Sequence, residues 1–335
     1  MLQQISLAAF TIALAIGLSA LFFIGCNLLL DRFLSSDSLT DDLARQRRDH
    51  RRESIRPWIF VGPAVLILVI YLVYPVFASL WYSLLDRNAD NFVGLSNYIW
   101  AFGNRTFQIA IRNNIMWLII VPTMSTAFGL LIAYMTDRLW WGQVARTLVF
   151  LPMAISFVGA SVIWKFVYDF RGVGEEQIGL LNAVVVALGG EPQAWIAIPF
   201  WNNLLLMVIL IWIQTGFAMV ILGAAIRGVP EDTIEASIME GANNFQIFFK
   251  IVIPQIFGTI VVVWTTITIL VLKIFDIVFA MTNGQWNSNV LANFMYDQLF
   301  RAGDIGRGSA VAIVIMLAVT PVMIYNIRRA RQENQ

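Results

Sequence analysis

Pro57 to Leu85 contains no charged side chain, and neither does Met1 to Leu30. A helix needs about 20 predominantly apolar residues to cross the ~30 Å hydrocarbon core of a bilayer, and a chain inside that core must satisfy its backbone polar groups internally. Both stretches meet the requirement, and neither suits a water-soluble domain. Five further stretches are long and predominantly apolar: Asn113–Thr136, Thr147–Tyr168 with Lys165 near its end, Ala194–Ile226, Ile256–Met281 with Lys273 and Asp276 inside it, and Gly308–Ile327. The expectation is an all-α polytopic membrane protein with about seven transmembrane helices. Composition agrees, since 59% of the residues are hydrophobic and 13% charged, about half the ~25% charged share of an average soluble domain. Cys26 and His50 are each the only residue of their type. That excludes a disulfide framework and argues against a Cys/His metal site.

Charge placement sets an expected orientation. Arg32, Arg45, Arg47, Arg48, Arg51, Arg52 and Arg56 lie between the first two stretches, and Arg328, Arg329 and Arg331 follow the last. Short loops rich in arginine stay cytoplasmic, and an odd number of spans then puts Met1 outside and Gln335 inside. Glu175, Glu176 and Glu191 would face outward. The chain divides into an N-terminal anchor (1–30), an Arg-rich linker (31–57), a second span with its outer loop (58–108), a core (109–327) and a short tail (328–335). A cleaved signal peptide fits poorly, because Met1–Phe10 has no basic residue and the apolar run exceeds the ~7 to 15 residues of a signal core. Phe23 argues against a lipoprotein site at Cys26.

Between the fifth and sixth stretches lies Gly228-Val229-Pro230-Glu231-Asp232-Thr233-Ile234-Glu235-Ala236-Ser237-Ile238-Met239-Glu240-Gly241-Ala242. Proline followed by two acids marks a helix start, and Gly241 marks its stop. From Asn244, Phe245, Phe248, Phe249 and Val252 recur at helical spacing until Pro254. The segment reads as helix, tight turn, helix, and composition alone allows an amphipathic hairpin packed under the bundle.

The spacing also resembles the EAA loop of binding-protein-dependent ABC importer permeases: Glu235-Ala236-Ser237, three residues, Gly241, nine residues, then Ile251-Val252-Ile253-Pro254. Ser237 and Ile253 are mild departures from that family's pattern. Phe92–Tyr98, Leu148–Pro152, and Phe275-Asp276 with Thr282-Asn283-Gly284 resemble further signatures of its sugar branch, close to the maltose-type and alpha-glucoside permeases. Gln285 and Trp286 stand where the family has glycine and proline. The likeness runs from about Trp58 to Arg331.

The resemblance implies a type-I ABC importer permease fold, with Glu235, Ala236, Ser237, Gly241, Ile251 and Pro254 at 228–256 coupling to ATPase subunits. It further implies a second homologous permease, two ATPase subunits and an extracytoplasmic solute-binding protein. No cofactor is expected on this chain, which lacks a G-x-x-x-x-G-K-[ST] phosphate loop; ATP and Mg would sit on the partner subunits. No nucleic-acid partner is implied. Aligned through the EAA frame, Gln214 and Phe217 of the fifth span and Leu270 and Ile274 of the sixth fall on the sugar pathway, largely apolar for that role.

Lys273 and Asp276 are charges inside the sixth stretch, and their i, i+3 spacing places them on one face, which predicts a structural ion pair. A secondary transporter for a small polar solute is the alternative function. It would need coupling-ion groups at mid-depth and repeated broken helices. An intramembrane enzyme would need a nucleophile with its base, which one histidine on a charged linker does not offer.

Overall fold

The computed structural model describes residues 2–34, 42–137, 139–172 and 174–333. Two compact units emerge, Met1–Ala78 and Ser79–Gln335.

In the first, α1 (Leu2–Leu34) pairs with α2 (Asp42–Leu68), and the rings of Phe23 and Phe60 stack at 5.5 Å. The Arg-rich linker, expected as a loop, is helical from Asp42 onward and runs without interruption into the second span; residues 35–41 lie outside the described residues. A π turn at Val69–Val73 leads into α3 (Tyr74–Tyr82). Pro75 has no N–H to continue an α ladder and its ring crowds the preceding turn, so one widened turn absorbs the mismatch and the helix carries on.

The second unit begins with α4 (Ser96–Gly103) and α5 (Arg105–Thr136). The buried Asn97 of the Phe92–Tyr98 signature donates to the carbonyls of Ser83 and Leu85 at 2.9 and 2.7 Å, which pins the end of α3. Next come α6 (Gly142–Phe150), a 3-10 turn at Leu151–Ala154 and α7 (Phe157–Val167). The stretch Thr147–Tyr168, expected as one straight span, is instead bent by 107°. The cause is local: Pro152 sits in the tightened turn, and the hydroxyl of Ser156 caps a new helix by accepting from Gly159 N–H at 3.1 Å.

After α8 (Leu180–Ala187), the chain enters α9 (Trp201–Arg227), the most buried span. The short helices α10 (Glu231–Met239), α11 (Asn244–Ile247) and α12 (Ile253–Gln255) precede α13 (Phe257–Leu272), and α14 (Asp276–Met281), α15 (Leu291–Tyr296) and α16 (Ile305–Glu333) complete the chain. Among the described residues five helices are long and apolar enough to cross a membrane, and counting each of two bent pairs as a span gives up to seven. Among the described residues there is no strand beyond an isolated bridge between Leu85 and Phe92.

The core is built on α5 against α9. They approach closely at Gly129, where a Cβ would lie 2.5 Å from the Ala218 Cβ and 2.8 Å from the Met219 backbone nitrogen. Small residues permit such closeness between membrane helices, which lack a hydrophobic driving force and gain from van der Waals packing.

A coupling hairpin, a charged clasp and an asparagine collar

The hairpin forms as its caps dictate. Pro230 sits at the N-cap of α10 with Glu231 and Asp232 in the first turn. At the far end Gly241 takes φ +85°. Its N–H donates to the Ile238 carbonyl at 2.9 Å, and Ala242 N–H donates to Ser237 at 3.0 Å, the paired bonds of a Schellman turn. Asn243 and Gln246 then cap α11 reciprocally, each bond 2.9 Å.

Two faces result. Ser237 points inward, its hydroxyl donating to the Ile234 carbonyl at 2.6 Å. Ile247 and Val252 are buried, and the Tyr134 ring of α5 lies 4.5 Å from that of Phe248 while its hydroxyl donates to the Asn244 carbonyl at 3.3 Å. Outward, Glu235 is exposed, as are Phe245 at 70% and Met239 at 87%. The expected single stripe of Phe245, Phe248, Phe249 and Val252 is therefore split, because Phe248–Val252 forms a π turn ahead of Pro254 and rotates alternate residues to opposite sides. A 72° bend then leads into α13. Ile251 is half-buried and Pro254 exposed.

Next to the hairpin lies a clasp that sequence reasoning missed. Asp137, just past α5, pairs with Arg146 of α6 and with Arg227 of α9 at 3.4 Å. It shares a cavity of about 600 Å³ with Tyr134, Arg227, Glu231, Ile247 and Val252. The ends of α5, α6 and α9 are thus tied together beside the hairpin.

At the opposite end an asparagine collar holds the loop between α14 and α15. Asn113 of α5 donates to the carbonyls of Asn287 and Asn289, both at 2.8 Å. Asn202 of α9 donates to the Trp286 carbonyl at 2.9 Å, and Asn203 to that of Asn287 at 3.3 Å. Asn114 accepts from Leu291 N–H at 2.8 Å. These bonds hold a backbone with left-handed φ at Asn283, Trp286 and Asn287, so Gln285 and Trp286 take the place of glycine and proline at the cost of local strain. Asn113 precedes Asp137 by 24 positions, and Asn203 precedes Arg227 by 24. At ~1.5 Å per residue both helices place the collar about 36 Å from the clasp, just over one hydrocarbon thickness.

Asn202 has no exposed surface, and Asn202→Ala leaves the Trp286 carbonyl without its partner. A loss of ~1 to 3 kcal/mol is expected, read as a lower Tm of the detergent-solubilised protein with the apolar spans still inserted.

The residues placed on the pathway by alignment are mostly interior. Gln214 is 7% exposed and Ile274 2%, while Phe217 and Leu270 are half-buried against the same core. The expected Lys273–Asp276 pair is absent. The helix that was to carry both ends at Leu272 and restarts at Asp276, with Phe275 at φ −140°, ψ −56° between them. The two side chains are exposed and neither makes an ion pair among the described residues.

Residues 99–330 match the family of binding-protein-dependent transport system inner membrane components. The chain is 61% identical over 334 residues, 99% of both chains, to the alpha-glucoside transport system permease protein AglF of Rhizobium meliloti. It is 49% identical over 277 residues, covering 83% of this chain and 99% of the relative, to the osmoprotective compounds uptake permease protein GgtC of Synechocystis. Among solved structures, a chain of a bacterial alginate ABC transporter in complex with an alginate pentasaccharide-bound periplasmic protein shares the fold, with a TM-score of 0.71 at 18% identity over 84% of this chain and 98% of that one. A full-length relative at this identity, a family match across the core and five to seven apolar spans agree: the chain belongs to the binding-protein-dependent transport system inner membrane components, as a multi-pass permease subunit of an ABC importer whose ATP hydrolysis resides on separate subunits.

Proposed function

We propose that this permease conducts an α-linked glucoside across the bacterial inner membrane, pairing with a second homologous permease, two ATPase subunits and an extracytoplasmic binding protein. The observation that carries the substrate class is the 61% identity to an alpha-glucoside permease along essentially the whole of both chains. The clasp end is the cytoplasmic end in this reading. It bears the hairpin, and α16 runs from Ile305 near the collar side toward Arg328. Gln335, outside the described residues, follows on the cytoplasmic side, and seven spans then put the N-terminus outside. ATP and Mg are bound by the partner subunits and no cofactor by this chain.

The hairpin is the coupler. Glu235 and the exposed Met239 and Phe245 meet the ATPase. Ser237 and Ile251 anchor the hairpin from within, Gly241 turns it, and Pro254 sets the bend into α13. Closure of the ATPase pair moves the hairpin as a body, and Tyr134 with the Asp137 clasp passes that movement to α5 and α9.

Proteoliposomes holding the complete transporter test this reading. Uptake of labelled maltose, trehalose or sucrose is expected to require internal ATP and the external binding protein and to be stopped by vanadate. Uptake driven by an ion gradient with no ATP would contradict it.

A further inference from the structure

Where α13 stops, a cavity of about 330 Å³ opens beside Lys273, walled by Phe275, Ala292, Met295, Tyr296 and Ile315. α13 is 16 residues long, so Lys273 lies ~24 Å from the hairpin end of the helix, toward the collar side. Its ammonium and the Tyr296 hydroxyl have no hydrogen-bond or ion-pair partner among the described residues. An ionisable group in an apolar wall is costly unless something meets it, and such residues usually face a cavity or a pathway.

Aromatic rings lead from this cavity to the surface. Phe275 lies 4.9 Å from Phe279 and 5.4 Å from Tyr296, and Tyr296 lies 4.9 Å from Phe300. Phe300 is 71% exposed. Arg301 stands 5.8 Å from the rings of both Phe279 and Tyr296, held by Asp297 at 3.0 Å and Asn283 at 2.8 Å. A run of aromatic rings with one held cation, Arg301, beside it and Lys273 at its inner end suits a ligand that is apolar on its ring faces and hydroxylated at its rim. A pyranose is such a ligand.

We propose that Lys273, Phe275 and Tyr296 form a carbohydrate subsite at the outer part of the pathway, reached along Phe300 and Phe279. This rests on the glucoside reading above, and it moves the polar grip away from Gln214, which is buried in the core. Lys273 donates to sugar hydroxyls and the rings stack against the sugar face. Asp276, on the next helix, takes no part.

The test uses the complete reconstituted transporter with labelled maltose, trehalose and sucrose, measuring sugar moved per ATP hydrolysed at saturating binding protein. Lys273→Met is expected to lower that ratio about tenfold, the size of one lost charged hydrogen bond. Lys273→Arg should retain most of it, Tyr296→Phe should stay within about twofold, and Tyr296→Leu should fall as far as Lys273→Met. If Lys273→Met is poorly inserted, Tyr296→Leu against Tyr296→Phe carries the same comparison.

An unchanged ratio in both Lys273→Met and Tyr296→Leu would overturn the subsite and leave the glucoside reading standing. So would a defect that disappears when anionic lipid is varied, which would make Lys273 a headgroup anchor. Wild-type transporter that moves none of the three sugars while hydrolysing ATP would instead remove the glucoside reading beneath it.

Discussion

Gly241→Val is expected to leave the protein inserted at normal abundance while abolishing uptake and releasing the ATPase subunits. Gly241 holds φ +85° at the turn between α10 and α11, a conformation that costs an L-residue ~1 to 2 kcal/mol, and a β-branched one more. No atom lies within 4 Å of where its Cβ would stand, so the core has nothing to clash with and the damage stays local. What changes is the aim of the hairpin. The Schellman bonds that set the angle between α10 and α11 would be lost, and Glu235, Met239 and Phe245 would no longer present one surface. ATPase retained on purification, measured beside membrane abundance, separates this from misfolding. Gly241→Ala should lie between wild type and Gly241→Val.

Gly129→Leu should have the opposite signature, with little protein reaching the membrane in a folded state. Its Cβ alone would meet Ala218 at 2.5 Å and the backbone of Met219 at 2.8 Å, and backbone cannot yield as a flexible side chain can. Overpacking a tight core typically costs ~1 to 3 kcal/mol for added methylenes. Four added carbons between the two central helices should exceed that and take a large share of a total stability of ~5 to 15 kcal/mol. Fluorescence size-exclusion profiles of tagged protein would show it, with Gly129→Ala already shifted toward aggregate.

These two glycines show what the sequence can express. Gly241 is legible because helix caps are local: Pro230, Glu231, Asp232 and Gly241 announce their roles within a few residues, whereas the reciprocal cap of Asn243 and Gln246 emerges only in the structure. The seven apolar stretches are legible for a similar reason, since span length is set by bilayer thickness. Gly129 says nothing on its own, because its constraint is Ala218, far along the chain. The asparagine collar is hidden for the same reason: Asn113 finds its partners 174 and 176 residues away.

The break in α13 is the instructive error. Leu272 to Asp276 contains no proline or glycine, so helical spacing carried Lys273 and Asp276 onto one face. Tertiary packing overrides that spacing, with Ile274 buried in the core and Phe275 stacked on Phe279. By contrast, the bend after Phe150 did carry signals, Pro152 and Ser156, which the length of the apolar run masked.

Cysteine cross-linking tests the coupling role of the hairpin most directly. Cys26 is the only cysteine, so a Cys26→Ser background admits single cysteines at Met239, 87% exposed, and at Ser237, 8% exposed on the inward face of the same helix. Met239→Cys is predicted to cross-link to the ATPase subunit in intact membranes, with a yield that changes when ATP and vanadate are added, while Ser237→Cys gives no product. Labelling of Met239→Cys by an impermeant thiol reagent from the outer face, without ATPase cross-linking, would contradict the account.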